Sequence, residues 1–460
     1  MADRARSFLD EFLSALDGPP RLPDVALSGG GSLPSVFAVS DLAQASVGAA
    51  GAACAALVGT GRTTVPGVTV DRDLASAWFG FSIRPDGWEL ASPWDAVAGD
   101  YATSDGWIKL HTNAPHHRAA ALTVLGVPGE REAVTRAVAG WTSDELESAV
   151  VGAGGAAAAL RAAAEWDAHP QGRAVAAEPL VHREPTSAAP RSTPPAPRID
   201  RPLDGVRVLD LTRVLAGPVA TRLLAGWGAE VLRIDPPGWD EPGVVPEVTL
   251  GKRCARLDLT VPESRDRFLE LLAGADVLVH GYRSDALEGL GLGAELRADV
   301  RPGLVDVSLD AYGWAGPWVT RRGFDSLVQM SSGIAHAGMA ASGADQPVPL
   351  PVQALDHATG YLLAACALTG LARRRSEGTG SRWRTSLARV SRLLVDGGIA
   401  EGPDGPGIDP APPAPGGAME RTPWGDARRL PAPVVVDGAP LRWSRPAGHL
   451  GSSAPEWESA

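Results

Sequence analysis

The stretch GVRVLDLTRVLAGPVATRLLAGWGAEVLRID, residues 205–235, changes period twice. VRVLDL (206–211) is a short apolar run of strand length. GPVATRLLAGWGA (217–229) has helical spacing, with Pro218 in the first turn, where a missing N–H costs little. EVLRID (230–235) is a second strand run. Two strands joined by a helix form a parallel crossover, so the stretch predicts a β-α-β unit and a doubly wound α/β sheet.

Working outward, ARLDL (255–259), DVLVHGY (276–282) and LVDVSLDAYG (304–313) are further strand candidates, and ESRDRFLELLAGA (263–275) is a helix between them. TRVLAGP after the first strand contains no GxGxxG, so a dinucleotide cofactor is not supported. The N-terminal part reads differently. SDLAQASVGAAGAACAALVG (40–59) is an Ala/Gly-rich helix, and Ser-Asp-Gly (104–106) between short apolar runs predicts a hairpin turn. This part is expected to be a smaller α+β domain over residues 1–182. Pro-rich composition marks 183–202 and 401–417 as linkers, with the α/β domain over 203–400 between them. Residues 418–460 are expected to return to that domain.

The 460 residues carry a net charge of −12. This argues against nucleic-acid binding, which needs a basic face to displace counterions. Cys54, Cys254 and Cys366 form no CxxC, so neither a zinc site nor a disulfide framework is indicated, and a reduced cytoplasm is the default. The N-terminus reads as a short amphipathic helix rather than a signal peptide, and no membrane span or membrane partner is expected. His116 and His117 lack spaced partners and read as surface residues. In ALDHATGY (354–361), Asp356 precedes a small-residue helix, where Asp is a preferred N-cap. SDLAQASVGAAGAACAAL (40–57) echoes this arrangement with Asp41, which reads as a cap, a second nucleophile or relic being the alternative.

Five motifs in order resemble the class III CoA-transferases, the CaiB/BaiF-type family. They are the opening strand-helix-strand up to RIDPPG (233–238), GKRCARLDL (251–259), ADVLVHGYRSDALEGLGLG (275–293), the Gly-Phe-Asp stretch around TRRGFDSLVQ (320–329), and ALDHATGYLLAACALTGL (354–371). Residues 92–181 resemble the family's small domain, which here stands first, so the parts are in permuted or fused order. The resemblance implies a Rossmann-like α/β domain, a homodimer, and transfer of coenzyme A between an acyl-CoA and a carboxylic acid. CoA is then a substrate, with no permanently bound cofactor and no metal. It also implies Asp356 as covalent nucleophile, held ionised by the helix dipole. Lys252, Arg253 and Arg322 fall where the family contacts CoA phosphates or nucleotide. Arg283 can substitute for a basic residue absent at Gly289, and Leu215 and Ala216 would wall the thioester. Pro236, His280 and Gly281 depart from the family pattern. A related branch racemises acyl-CoAs with a His where Phe324 stands, which disfavours that chemistry. The remaining alternatives are an acyl-CoA isomerase using the same Asp and a degenerate CoA-binding subunit.

Overall fold

The computed structural model describes residues 2–17, 23–189, 196–238, 240–399, 406–414 and 417–458. Its centre is a seven-stranded sheet in the order Lys252–Arg256, Glu230–Asp235, Arg207–Leu211, Val277–His280, Val305–Asp310, Thr379–Ser386 and His182–Ala188. The first six strands are parallel, and His182–Ala188 closes one edge antiparallel. Helix Ala216–Gly226 joins Arg207–Leu211 to Glu230–Asp235, as the 205–235 pattern predicts. The chain runs outward on one side of Arg207–Leu211, then resumes on the other at Val277–His280. The carboxyl ends of these two strands therefore flank a topological switch point, where open α/β sheets bind ligands.

The packing does not divide at residue 182. Residues 25–71 form a β-α-β unit of their own, in which helix Val39–Gly59 joins the parallel strands Val25–Ser28 and Val68–Asp71. Every residue from Val39 to Val58 is buried, and the helix lies in one core with helix Ala354–Glu377. It is long and apolar enough to cross a membrane by composition, but core burial accounts for that composition. Small residues also let helix Ala354–Glu377 approach helix Ala216–Gly226. A Cβ at Gly360 would stand 2.4 Å from the Ala216 carbonyl oxygen.

The smaller α+β unit begins near residue 95. Strands Gly99–Ala102, Trp107–Leu110 and Ala157–Ala159 pair antiparallel, and Val97, Tyr101, Ile108, Val134, Leu146 and Val150 pack between them and their helices. Thr103 donates its N–H to the Gly106 carbonyl, closing the expected turn.

The linker boundaries also shift. Residues 183–188 are edge strand rather than linker, because Arg384 bonds Glu184 across the strand pair at 2.6 Å. Pro185 is tolerated on such an edge, where the N–H need not join a ladder. Residues 190–195 and 400–405 lie outside the described residues. The segment from 418 returns mainly to N-terminal elements. Hairpin Ala418–Thr422/Gly425–Arg429 pairs with Ile83–Pro85, and Val434–Val436 pairs with Val68–Asp71. Beyond these strands it reaches the α/β domain, where the Trp443 and Trp457 indoles donate to the Arg222 and Leu271 carbonyls.

Candidate active site

Asp356 does not cap its helix. The helix starts at Ala354, and Asp356 is its third residue. The cap comes from elsewhere: Asp325, 31 residues away, accepts the Asp356 N–H at 2.9 Å. The same carboxylate accepts from the Leu355 N–H and, through its other oxygen, from Gln329. Asp325 thus satisfies donors that a helix start leaves without partners. Among the described residues no donor reaches the Asp356 carboxyl itself. Burial, then the Asp325 charge, pushes the Asp356 carboxyl well above the ordinary carboxylate range. Burial raises Asp325 as well, but its N–H donors oppose the shift, so the proton shared by the pair rests on Asp356. This corrects the expectation that the helix dipole holds Asp356 ionised: loss of hydration outweighs the dipole at this depth.

Two cavities meet at Asp356. One, of about 410 Å³, opens at the switch point and is lined by Thr212 and Arg213 after one strand and by Tyr282 and Arg283 after the next. Arg321 and Arg322 complete a strongly cationic wall. Arg321 is committed to Glu147 at 2.8 Å and stacks on Trp318. Arg322 has no such partner among the described residues; burial and the neighbouring Arg283 guanidinium lower its pKa. Arg283 pairs with Asp285 at 3.8 Å, and Arg322, with no ion pair of its own among the described residues, is the cation at this wall that favours an anion. The other cavity, of about 450 Å³, is lined by Phe81, Trp94, His111, Leu215 and Val244. Val214 and Phe324 border both. Val214 has φ +61°, a costly conformation for a β-branched residue, and its N–H donates to Glu241 at 3.1 Å. The turn after the first strand is thus held under strain where the cavities join.

Residues 203–413 match the model of the CoA-transferase family III. The match covers the whole of the large parallel sheet except its antiparallel edge strand. Among similar proteins is the probable fatty acyl-CoA transferase Rv3272 of Mycobacterium tuberculosis, 34% identical over 192 residues, or 39% of this chain and 48% of that one. Human succinyl-CoA:glutarate CoA-transferase is 34% identical over 193 residues, covering 39% of this chain and 44% of its own. A crystal structure of Rv3272 aligns with TM-score 0.40 at 31% identity, over 43% of this chain and 57% of that one. The chain spans about half the length of the curated relatives it matches.

Of the residues expected around CoA, the matched segment brings Arg283, Arg322 and Ala216 to the cationic cavity and Leu215 to the other. Lys252 and Arg253 are corrected. They lie on strand Lys252–Arg256, and neither lines a cavity beside Asp356. The Lys252 ammonium is buried 2.9 Å from Asp210 and donates to the Pro218 carbonyl, with its pKa lowered by burial to about 8. Arg253 is tied to the C-terminal segment through the Glu456 carbonyl at 2.6 Å. His117 is not a surface residue. It is buried edge-on to Phe324, with burial pushing its pKa down to about 3. Asp325, Arg213, Val214, Trp94 and His111 were not singled out from sequence. Asp325 stands in the quoted Gly-Phe-Asp motif, but its capping role needs the tertiary contact. No group of His, Cys, Asp and Glu among the described residues could hold a metal ion.

Asp41 occupies the third position of its own crossover helix, as Asp356 does. Its fate is opposite. Arg72 grips both carboxylate oxygens, at 2.5 and 3.2 Å, and both residues are buried. Asp41 is therefore neither cap nor available nucleophile. Asp41→Asn is expected to cost about 3 kcal/mol in urea unfolding by stranding the Arg72 charge. Labelling of Asp356 by acyl-CoA is expected to survive that change.

Proposed function

We propose that this protein transfers CoA from an acyl-CoA to a carboxylic acid, with Asp356 as covalent carrier. What carries the reading is the placement of one carboxyl without a donor where an arginine-lined cavity meets a largely apolar one. The first suits the phosphates and pantetheine of CoA, and the second suits the acyl group, so the thioester falls at Asp356. A homodimer is part of the proposal.

The reaction needs the Asp356 carboxylate. An oxygen attacks the thioester carbonyl, CoA thiolate leaves, and a mixed anhydride forms. The thiolate then attacks the Asp356 carbonyl of that anhydride, releasing the donor acid and leaving an aspartyl-CoA thioester. The acceptor carboxylate repeats the sequence in reverse, giving a new acyl-CoA and a free Asp356. Each tetrahedral stage bears an oxyanion. The Ala216 and Gly217 N–H groups belong to a first helical turn, where no intrahelical acceptor exists, and are suited to receive it. Because Asp356 must lose its proton to attack, turnover rises with pH through its elevated pKa.

Incubation with acyl-CoAs, trapping with hydroxylamine and peptide mass spectrometry test the reading directly. A hydroxamate on Asp356 is the expected result. Absence of any adduct, together with no CoA binding by calorimetry, would favour a chain that has lost the chemistry. Arg322→Ala is expected to weaken CoA binding about tenfold, the usual worth of one charge-assisted contact, and to flatten its salt dependence.

A further inference from the structure

The two cavities beside Asp356 differ in sign. The CoA-side wall carries Arg213, Arg283, Arg321 and Arg322. Among the described residues lining the other cavity there is no Lys or Arg, whereas Asp95, Asp240 and Glu241 all border it. The cations that balance these acids do not line the cavity. Asp95 pairs with Arg118 at 3.4 Å, Asp240 with Arg256, and Glu241 with Arg213 at 3.1 Å and Arg233 at 3.3 Å. Lys109 approaches the Trp94 ring at 6.0 Å, but its ammonium is bonded to Asp100 at 2.6 Å. His111 is no cation either, since burial drives its pKa down to about 3. Its Nδ1 is buried without a partner. Ser92, Asn113, Ser326 and Gln353 add uncharged polar groups, and Phe81, Trp94, Leu215, Val244 and Phe324 supply the apolar and aromatic faces.

We infer that the acyl group this protein handles is a monocarboxylate whose remainder carries no negative charge, and that dicarboxylates are excluded. The inference rests on the proposed CoA transfer, because the carboxyl that reacts must sit at Asp356 and the remainder must extend into the cation-free cavity. A second carboxylate there would give up its hydration and meet no lining cation, because the arginines nearby are already held by Asp95, Asp240 and Glu241. An apolar or aromatic tail loses nothing on entry and covers the ring faces of Trp94 and Phe324. Discrimination of this kind comes from a repulsive element as much as from an attractive one.

The full chain is to be assayed with hexanoyl-CoA, phenylacetyl-CoA, succinyl-CoA and glutaryl-CoA, following both CoA transfer and hydroxylamine-trapped label on Asp356. The first two are expected to exceed the last two in kcat/KM by at least about 100-fold. Ser92→Arg places a guanidinium at the exposed rim of the cation-free cavity and is expected to narrow that ratio at least tenfold. Comparable turnover of glutaryl-CoA and hexanoyl-CoA, with Asp356 labelled by both, overturns the substrate class and leaves CoA transfer standing. A ratio unmoved by Ser92→Arg overturns its electrostatic origin. No label with any of the four overturns the parent reading and this one together.

Discussion

Asp356→Asn is expected to abolish CoA transfer and hydroxamate formation, by at least about 10⁴-fold, while raising the chain's resistance to unfolding at pH 7. The first half follows because a carboxamide cannot attack a thioester, and among the described residues no other nucleophile lines both cavities to replace it. The second half follows from what Asp356 costs. Its carboxyl is buried, no described donor reaches it, and the nearby Asp325 carboxylate opposes its ionisation. The sign is fixed by linkage. A carboxyl whose folded-state pKa lies above the unfolded value is penalised on folding as pH rises above the unfolded value, with the penalty growing up to the raised one. Asn has the same shape, carries no charge and can donate toward Asp325. The gain is roughly 1 kcal/mol at neutral pH, and it vanishes below about pH 4, where both chains are uncharged at this position. Urea unfolding of both proteins at pH 4 and pH 7 measures it. A variant that loses stability at pH 7 would show that Asp356 is a structural residue and sink this account of its pKa. Nucleophile and strain are thus the same feature: the site keeps a carboxyl it does not solvate, which makes that carboxyl reactive once ionised.

The parts legible in the sequence are those set by local period. The 205–235 unit announced itself because strand, helix and strand follow one another without interruption, and the crossover hand leaves little freedom in how they pack. Within its own short motif Asp356 reads as a helix cap, and only the ordered motifs from 205 to 371 imply a nucleophile there. What stayed hidden depends on chains meeting from far apart. Lys252 is expected to contact CoA, yet Asp210, 42 residues earlier, closes on it in the sheet interior. Asp356 and Asp41 begin their helices alike, and only the identity of the next side chain in space separates them. Arg72 neutralises one, while Asp325 takes the backbone N–H of the other. Composition also misled. Pro and Ser between residues 183 and 202 suggested an unstructured connection, yet Glu184 and its arginine partners hold the first six of those residues to the sheet edge. His117 reads as polar surface in a window that contains no hint of Phe324.

The largest stability effect is expected at Glu247, a residue with no role in the chemistry. Its carboxylate is fully buried and gathers three regions of the chain. Arg222 from the helix after the first strand bonds one oxygen, and Arg429 from the C-terminal hairpin bonds the other at 2.7 Å. The Ser82 and Ile83 N–H groups, from the N-terminal part, each donate at 3.0 Å. Burial alone would raise its pKa, but the two guanidiniums dominate and hold it at about 2. Glu247→Gln keeps the size and some of the hydrogen bonds yet leaves the Arg222 guanidinium, stacked on Trp78, out of water without a carboxylate, while Arg429 retains Glu420. Stranding a buried charge costs about 3–5 kcal/mol, and a loss in that range is expected from Arg222, whereas Arg429 keeps Glu420 at 2.6 Å. The pH dependence carries the same signature. A carboxyl depressed in the folded state contributes stability that is fully present above its unfolded value of 4.5 and is lost as pH falls toward 2. Wild-type protein should therefore lose stability steeply between pH 4.5 and 2, and Glu247→Gln should flatten that limb while lowering stability throughout the neutral range. A neutral-range loss with an unchanged acid limb would mean that packing, rather than the shared carboxylate, joins the C-terminal hairpin to the α/β core. Arg429→Met distinguishes the two independently: if the ion cluster governs, removing this one cation raises the pKa of Glu247 and moves the acid limb upward.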